Sequence, residues 1–219
     1  MVSDDSELIP ARTTQVASCI YSQPTSVCQV IGEFLEDLPQ SQEYLLLVFS
    51  PSSLPIKKRW RTNGLSADFL ADYLAVFLPN DENDGEATGK QEQIQSTVSY
   101  IANELLENAM KFSDHSSSMS IKVELQLYMN QLVFLVTNSI QPDAVRNYQA
   151  FMQAVLTSDP SELLLQRLEQ TAEDDTSKSS GLGLLTMICN YSARLGWKFE
   201  TIVGTPEITT VTTMVQVSF

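Results

Sequence analysis

The longest regular pattern of apolar positions runs over residues 94–112. Its members recur at steps of three and four and so share one face of a helix: Ile94, Val98, Ile101, Leu105, Ala109 and Phe112. Glu104 and Asn108 are four residues apart, which places them one turn apart on a stripe beside the apolar one. The pattern predicts a long amphipathic helix that carries a carboxylate and a carboxamide side by side.

Upstream of this helix the pattern predicts two more helices and one strand. A helical spacing extends over residues 27–38 and stops at Pro39. The short apolar run of residues 44–49 is typical of a buried strand. A second helix is predicted over residues 66–77, where large apolar side chains again share one face.

The concentrated positive charge of the chain lies in residues 56–61, Ile-Lys-Lys-Arg-Trp-Arg, ahead of the turn pair Asn63-Gly64. One interpretation is a docking patch for an acidic partner. The other is an edge strand or solvated loop that its charges keep from sticking to other chains. We favour the second interpretation, because most charge runs form solvated faces.

Residues 80–90 contain acids and two glycines but no large apolar side chain, a composition typical of a linker. We therefore expect an N-terminal α/β region over residues 1–80, an acidic linker over residues 81–90 and a second domain over residues 91–219. The first region completes the sheet of the second, dimerises or carries a regulatory input, and the sequence leaves these roles open.

Two alternating runs follow the long helix and predict an antiparallel hairpin over residues 119–127 and 132–136. Helices are predicted next over residues 142–156 and 160–168, each opened by a proline. Residues 170–180 are polar apart from one alanine.

The last part of the chain begins with Gly181-Leu182-Gly183-Leu184. A helix is expected from Leu184 to Leu195, with Gly196 as its C-terminal stop. Residues 197–203 and 209–219 are rich in β-formers and predict a closing hairpin. This order of elements indicates an α+β fold, a two-layer sandwich with helices on one face of a mostly antiparallel sheet.

Charge and composition exclude several function classes. The chain has 219 residues, a formal net charge of -14 and a pI of about 4.3. Proteins that bind nucleic-acid phosphates or anionic membranes concentrate Lys and Arg, so we expect no nucleic-acid partner and no membrane partner. No apolar run approaches about 18 residues and the first residues are acidic, so neither a membrane span nor a secretory signal is predicted.

Cysteine and histidine usage narrows the setting. Cys19, Cys28 and Cys189 form no Cys-x-x-Cys pair, and their odd number does not suggest a disulfide scaffold. A reducing cytoplasm is the simplest setting. The single histidine, His115, excludes a His-rich metal site, and its place after the long helix favours a partner for the helix dipole.

Two motifs resemble one family. Residues 104–112, Glu-Leu-Leu-Glu-Asn-Ala-Met-Lys-Phe, resemble the N-box of the ATP-binding fold shared by histidine kinases, DNA gyrase, the Hsp90 chaperone and MutL. Residues 180–184, Ser-Gly-Leu-Gly-Leu, resemble its second glycine box. The resemblance covers about residues 91–219 and implies a Bergerat-type sandwich that binds ATP and Mg²⁺.

The resemblance also implies roles for individual residues. Asn108 would bind Mg²⁺ and a phosphate oxygen, and Glu104 would polarise a water or a hydroxyl. Lys111 would supply a positive charge for a phosphate. Gly181 and Gly183 would let backbone N–H groups approach the phosphates at a helix N-terminus.

The polar run of residues 170–180 would be a lid over the nucleotide, with Lys178 as a phosphate contact. The chain departs from the family at the first glycine box, because residues 136–143 contain no glycine. Asn138 stands where the family has an aspartate that accepts the adenine amino group. Its carboxamide oxygen would accept the same hydrogen bond, but as a neutral and weaker acceptor.

Each of these residues also has an interpretation without a ligand. Asn108 would only hydrogen-bond a neighbouring strand. Glu104 alone would be a solvated helix residue. Gly181 and Gly183 would merely permit close helix packing. Lys111 would be a surface lysine that lies along its own helix.

Two functions of different class follow from the resemblance. The first is an ATP-binding signalling protein, a Ser/Thr protein kinase acting on a protein partner, similar to bacterial anti-sigma-factor kinases and to the SiaB-type switch kinases. The alternative is a degenerate interaction module that keeps the fold without productive ATP binding. A histidine kinase proper ranks third, since no phosphoacceptor helix is visible, and a homodimer is left open.

Overall fold

The computed structural model describes residues 26–50, 56–77, 85–173, 181–202 and 207–219. Its strands are β1 Ser26–Gly32, β2 Glu43–Phe49, β3 Ile121–Tyr128, β4 Gln131–Ile140, β5 Arg194–Ile202 and β6 Ile208–Ser218. Its helices are α1 Ile56–Ala75, α2 Gly85–Phe112, α3 Pro142–Thr157, α4 Pro160–Glu173 and α5 Leu182–Tyr191. The predicted hairpins and the predicted α2, α3 and α4 are present, with β4 longer than expected.

The six strands form one sheet in the order β1-β5-β6-β4-β3-β2, and every neighbouring pair is antiparallel. Alternate residues of β4, such as Leu132, Phe134 and Val136, are buried in the main core together with apolar residues of α2 and α5. The α+β two-layer sandwich predicted from the sequence is therefore confirmed, and it includes strands from both sides of the predicted linker.

The predicted helix over residues 27–38 is wrong. These residues form β1, which pairs with β5 from Ser26 to Gly32, and then an irregular segment. Val27, Val30 and Ile31 fit a helical spacing, but β-branched side chains also favour a strand. Pairing with β5 from Gly196 to Ile202 decides between the two, because the backbone groups of both strands hydrogen-bond in the ladder.

Residues 33–42 connect the two edge strands, β1 and β2, across the sheet face that the helices leave open. The backbone N–H of Glu33 donates to Leu195 O over 2.8 Å, and Gln216 Nε2 donates to Glu33 O over 2.7 Å. Near the other edge, the Tyr128 hydroxyl donates to Pro39 O over 2.6 Å. This strap explains why a polar side chain such as Gln216 is buried on the open face.

Two predictions before the long helix are corrected. Residues 56–61 and the pair Asn63-Gly64 lie inside α1, not in an edge strand, loop or turn. Ala67, Leu70 and Leu74 of the same helix are buried against α2 and the sheet. This packing stabilises a helix that begins earlier than the one predicted over residues 66–77. The predicted linker over residues 81–90 overlaps α2, which begins at Gly85, whereas residues 81–84 lie outside the described residues.

The helix expected from Leu184 to Leu195 is shorter. It ends at Tyr191, where Ser192 adopts a left-handed conformation (φ 51°) and donates its N–H to Met187 O. Gly196 is not a helix stop but part of β5, where a Cβ would lie 2.5 Å from Glu33 C in the strap. Across the described ranges, no helix has the length and apolar character needed to cross a membrane.

Candidate functional site

Helix α2 and the glycine pair at the start of α5 meet through Glu104 and Gly183. The Glu104 side chain lies directly against Gly183 in the first turn of α5: a Cβ on this glycine would be 2.6 Å from Glu104 Cδ and nearer still to Oε2. With any other residue at position 183, the Glu104 side chain would have to move. The two motifs, 79 residues apart in the chain, therefore form one junction.

The Glu104 carboxylate lies in a partly desolvated setting. Burial raises the pKa of Glu104 above its ordinary value, and the negative charge of Glu107 raises it further. The phenol of Tyr100, one turn earlier on α2, has a pKa raised by burial, although its hydrogen bond with Thr186 opposes the shift. A carboxylate with a raised pKa is a stronger base than an ordinary one.

The other glycine of the box is held by an aromatic side chain. Gly181 has φ 103°, in the range that favours glycine, and a Cβ there would lie 2.6 Å from Phe151 Cε2 on α3. The guanidinium of Arg167 on α4 lies over the Phe151 ring, 5.1 Å from its centroid. Two helices thus cover the start of α5 on the Gly181 side.

The start of α5 still carries the features of an anion site. Leu185 donates the first helical hydrogen bond, to Gly181 O over 3.1 Å, so the N–H groups of residues 182–184 precede the helical ladder. Such N–H groups and the helix dipole attract phosphate oxygens. Both glycines therefore make room for a neighbouring side chain. The backbone N–H groups beside them are also able to donate hydrogen bonds to a phosphate.

Asn108 lies one turn beyond Glu104 on α2 and is half-buried. Within the described part of the chain its carboxamide has no protein hydrogen-bond partner. Lys111 is exposed and lies along its own helix, with its ammonium 5.4 Å from the centroid of the Phe112 ring. Burial raises the pKa of Glu107, and the positive charge of Lys111 opposes part of this rise.

The C-terminal end of α2 is joined to the sheet by aromatic packing. The ring of Phe112 lies 5.2 Å from that of Tyr148 on α3, which meets Phe199 on β5 edge-on at 6.4 Å. Burial raises the pKa of Tyr148 to about 12, partly offset by its hydrogen bond with Thr213. These contacts fix the end of the helix that carries Asn108.

Asn138 lies on β4, buried on the helix-covered face of the sheet. Its Nδ2 donates to the carbonyl of Ser139, its own neighbour, over 2.8 Å. The carboxamide is therefore partly engaged with the local backbone. Lys178 and residues 174–180 of the predicted lid lie outside the described residues, while residues 170–173 belong to α4.

The donor set fits a magnesium ion only through oxygen atoms of Asn108 and of a bound phosphate. In the ranges that the structure describes, no three His, Cys, Asp or Glu side chains cluster as metal ligands. Mg²⁺ commonly binds through one or two protein oxygens together with substrate phosphates and water. The free carboxamide of Asn108 agrees with that kind of site.

Sequence reasoning missed Phe151, Arg167, Tyr100 and Thr186. Phe151 and Arg167 lie on predicted helices, but only the fold brings them over Gly181. The signal available for Arg167 was that it is the one basic residue of the helix predicted over residues 160–168. No family model and no curated protein matches this chain.

Proposed function

We propose that this protein binds Mg·ATP at the junction of α2 and the start of α5 and acts as a signalling kinase on a protein partner. The observation that carries the proposal is the contact of Glu104 with Gly183. It brings a carboxylate of raised pKa to the first turn of a helix whose N–H groups suit phosphate. Asn108, one turn away and free of protein hydrogen bonds in the described ranges, would hold Mg²⁺.

The phosphates would approach the backbone N–H groups of residues 182–184, with Lys111, Asn138 and Lys178 as the further nucleotide contacts that the resemblance implies. Glu104 and Phe151 fill the Cβ directions of the two glycines, so both side chains would turn aside as the nucleotide enters. Each is a flexible or rotatable side chain on a helix, and such gating is common at nucleotide sites.

In the proposed transfer, Glu104 accepts the proton of a Ser or Thr hydroxyl on the partner. The hydroxyl oxygen forms a bond to the γ-phosphorus while the bond from that phosphorus to the β–γ bridging oxygen breaks, and ADP leaves. Bound Mg²⁺ would neutralise phosphate charge. The acidic chain, with its net charge of -14, suits a protein partner better than a nucleic acid, and the protein would act in the cytoplasm.

The binding step is tested by thermal unfolding of the full chain with Mg·ATP. A ligand at 100 times its Kd adds about 2.7 kcal/mol of stability, so the melting temperature is expected to rise. Asn108→Ala is expected to abolish the rise, while Asn147→Ala, an exposed Asn on α3, keeps it. The absence of any rise at millimolar nucleotide would contradict the proposal.

The transfer step is tested with labelled ATP and a cell lysate. Glu104→Gln keeps the size of the side chain and removes the base, so we expect nucleotide binding without labelled protein. A variant that still labels its partner at the wild-type rate would exclude Glu104 as the base.

A second candidate is the degenerate interaction module. It is favoured by Asn138, whose amide is used by its own neighbour Ser139, and by the Phe151 ring over Gly181. This candidate predicts unchanged melting with nucleotide in the wild type and in every site variant. The same titration therefore distinguishes the two functions.

A further inference from the structure

Strand β2 forms one edge of the sheet among the strands that the structure describes. Among the described strands, β2 pairs with β3 on one side and with none on the other. Its pairing runs without a bulge from Glu43, opposite Leu127, to Phe49, opposite Ile121. Edge strands of monomers are usually blunted by charges, prolines or bulges, and β2 has none of these after Glu43.

The open face of this edge strand is apolar. Leu45, Leu47 and Phe49 alternate toward the helix-covered core. The side chains between them point to the open face and are 45, 47 and 54% exposed: Tyr44, Leu46 and Val48. Three apolar side chains in succession on the exposed face of an edge strand are unusual for a monomer and mark an interaction surface.

Helix α1 continues this surface on the other layer. One flank of α1 is bound to α2, because Ser99 Oγ donates to Asp68 over 3.0 Å and Gln95 Nε2 donates to Asp72 over 2.6 Å. At 100° per residue, Phe69 and Tyr73 lie on the flank next to these two aspartates, and Phe77 lies in the turn that follows α1.

The flank carries an aromatic ladder of Phe69, Tyr73 and Phe77, with ring centroids 6.4 and 5.2 Å apart. Tyr73 and Phe77 line a small cavity together with Tyr44 and Glu43 of β2, so the ladder lies over the edge of the sheet. Phe69 is half-exposed. The apolar surface therefore spans the helix layer, the β2 edge and the open face.

We propose that this surface binds a second copy of the chain, with β2 pairing antiparallel to β2 of that copy about a two-fold axis at Leu46. In this register Leu46 faces its counterpart, and Tyr44 faces Val48 of the second copy, so each apolar side chain meets another. Because this two-fold axis is perpendicular to the sheet, the helix layers of both copies lie on the same side of the joined sheet. The two ladders on α1 then pack across the junction.

Size and charge fit a second copy. The exposed apolar side chains of this surface, Tyr44, Leu46, Val48, Phe69 and Phe77, present on the order of 500 Å². A standard interface buries about 800 Å² per partner. Each chain has a net charge of -14, but the only charge on β2 is Glu43, and the two copies of it would be about 20 Å apart, beyond the screening length.

The oligomeric state of the full chain tests this proposal, independently of nucleotide binding. Light scattering after gel filtration at about 100 μM is expected to show a dimer, since interfaces of this size bind in the micromolar range or tighter. Leu46→Lys places like charges opposite each other on the axis, and Phe69→Glu charges the ladder. Each is expected to raise the dimer Kd more than about tenfold.

Val27→Lys on the opposite edge strand and Leu165→Glu on α4 are matched exposed controls and are expected to leave the dimer intact. Circular dichroism checks that each variant folds. A disulfide crosslink gives a second readout. Leu46→Cys is expected to form a covalent dimer on mild oxidation. The wild type and Val27→Cys are expected to stay uncrosslinked under the same conditions. A monomeric wild type, or a dimer that persists in both Leu46→Lys and Phe69→Glu, would overturn the proposal.

Discussion

The Glu104 carboxylate lies against Gly183, close enough that a methyl group at position 183 would collide with it. This contact joins the longest helix of the molecule to the helix that follows the glycine pair. It also shows that the absence of a side chain at position 183 makes room for Glu104, whether or not a phosphate binds beside it. Substitutions at positions 104 and 183 therefore test how strongly the stability effects of the two residues are coupled.

Gly183→Ala is expected to destabilise the fold by about 1–3 kcal/mol, because the new Cβ displaces the Glu104 side chain. In a Glu104→Ala background the clash is absent, and the higher helix propensity of Ala should make the same substitution neutral or stabilising by up to about 1 kcal/mol. Urea unfolding of the double-mutant cycle measures the coupling. Glu107→Ala, on the same helix, serves as a control and should not reverse the sign.

Gly181→Ala is expected to cost more than about 2 kcal/mol, because φ 103° is unfavourable for a residue with a Cβ and the Phe151 ring occupies that space. Phe151→Ala in the same background should recover the part due to the clash and leave the backbone strain. Thermal unfolding of both variants separates the two parts. If the double variant recovered all of the lost stability, the loss in Gly181→Ala would come from the clash with Phe151 alone and not from backbone strain.

Stability is expected to fall as pH rises through the pKa of Glu104. The folded-state pKa is raised above the ordinary 4.5, so the folded protein holds this proton more tightly than the unfolded chain. The unfolding free energy therefore decreases between pH 4.5 and the raised value and stays lower above it. Glu107 contributes in the same direction.

Urea unfolding of the wild type and Glu104→Gln from pH 4.5 to about 8 isolates this contribution. The variant should show a shallower decrease of stability with pH. Glu107→Gln, measured in the same way, corrects for its neighbour. An identical pH dependence in the wild type and Glu104→Gln would rule out a raised pKa at position 104.

Gly196→Ala and Gly64→Ala are expected to act in opposite directions. A Cβ at position 196 would lie 2.5 Å from Glu33 C and Phe34 Cα, backbone atoms that cannot rotate away, so we expect a loss of at least about 3 kcal/mol. A Cβ at Gly64, inside α1, would meet no heavy atom within 4 Å. There the substitution should stabilise the helix by about 0.5–1 kcal/mol, measured by chemical denaturation.

Parts of the chain with one dominant local pattern were predicted well. The long helix α2 ends at Phe112 as its 3.6-residue period indicates, and alternate residues of β3 point into the helix-covered core. Residues 27–38 were misassigned because their apolar spacing fits a helix, while the β-branched side chains of Val27, Val30 and Ile31 also favour a strand. Residues 56–61 were misassigned because charge at a helix start looks like charge in a loop.

The candidate site shows the same division. Glu104 and Asn108 were placed one turn apart by helix geometry alone, and the structure keeps them on α2. The position of Phe151 over Gly181, and of Arg167 over Phe151, could not be derived, because these contacts depend on how α3 and α4 fold back over α5. Local periodicity carries no information on contacts between distant helices.

The sequence by itself determined the two-layer α+β architecture, the long helix and the stripe that carries Glu104 and Asn108. Hydrophobic periodicity determines these because it records which side of each element is buried. Only the tertiary structure decided that residues 26–32 pair with β5, that Gly183 accommodates Glu104, and that β2 is left as an edge. Each of these depends on packing between residues far apart in the chain, which competes with local preference and prevails.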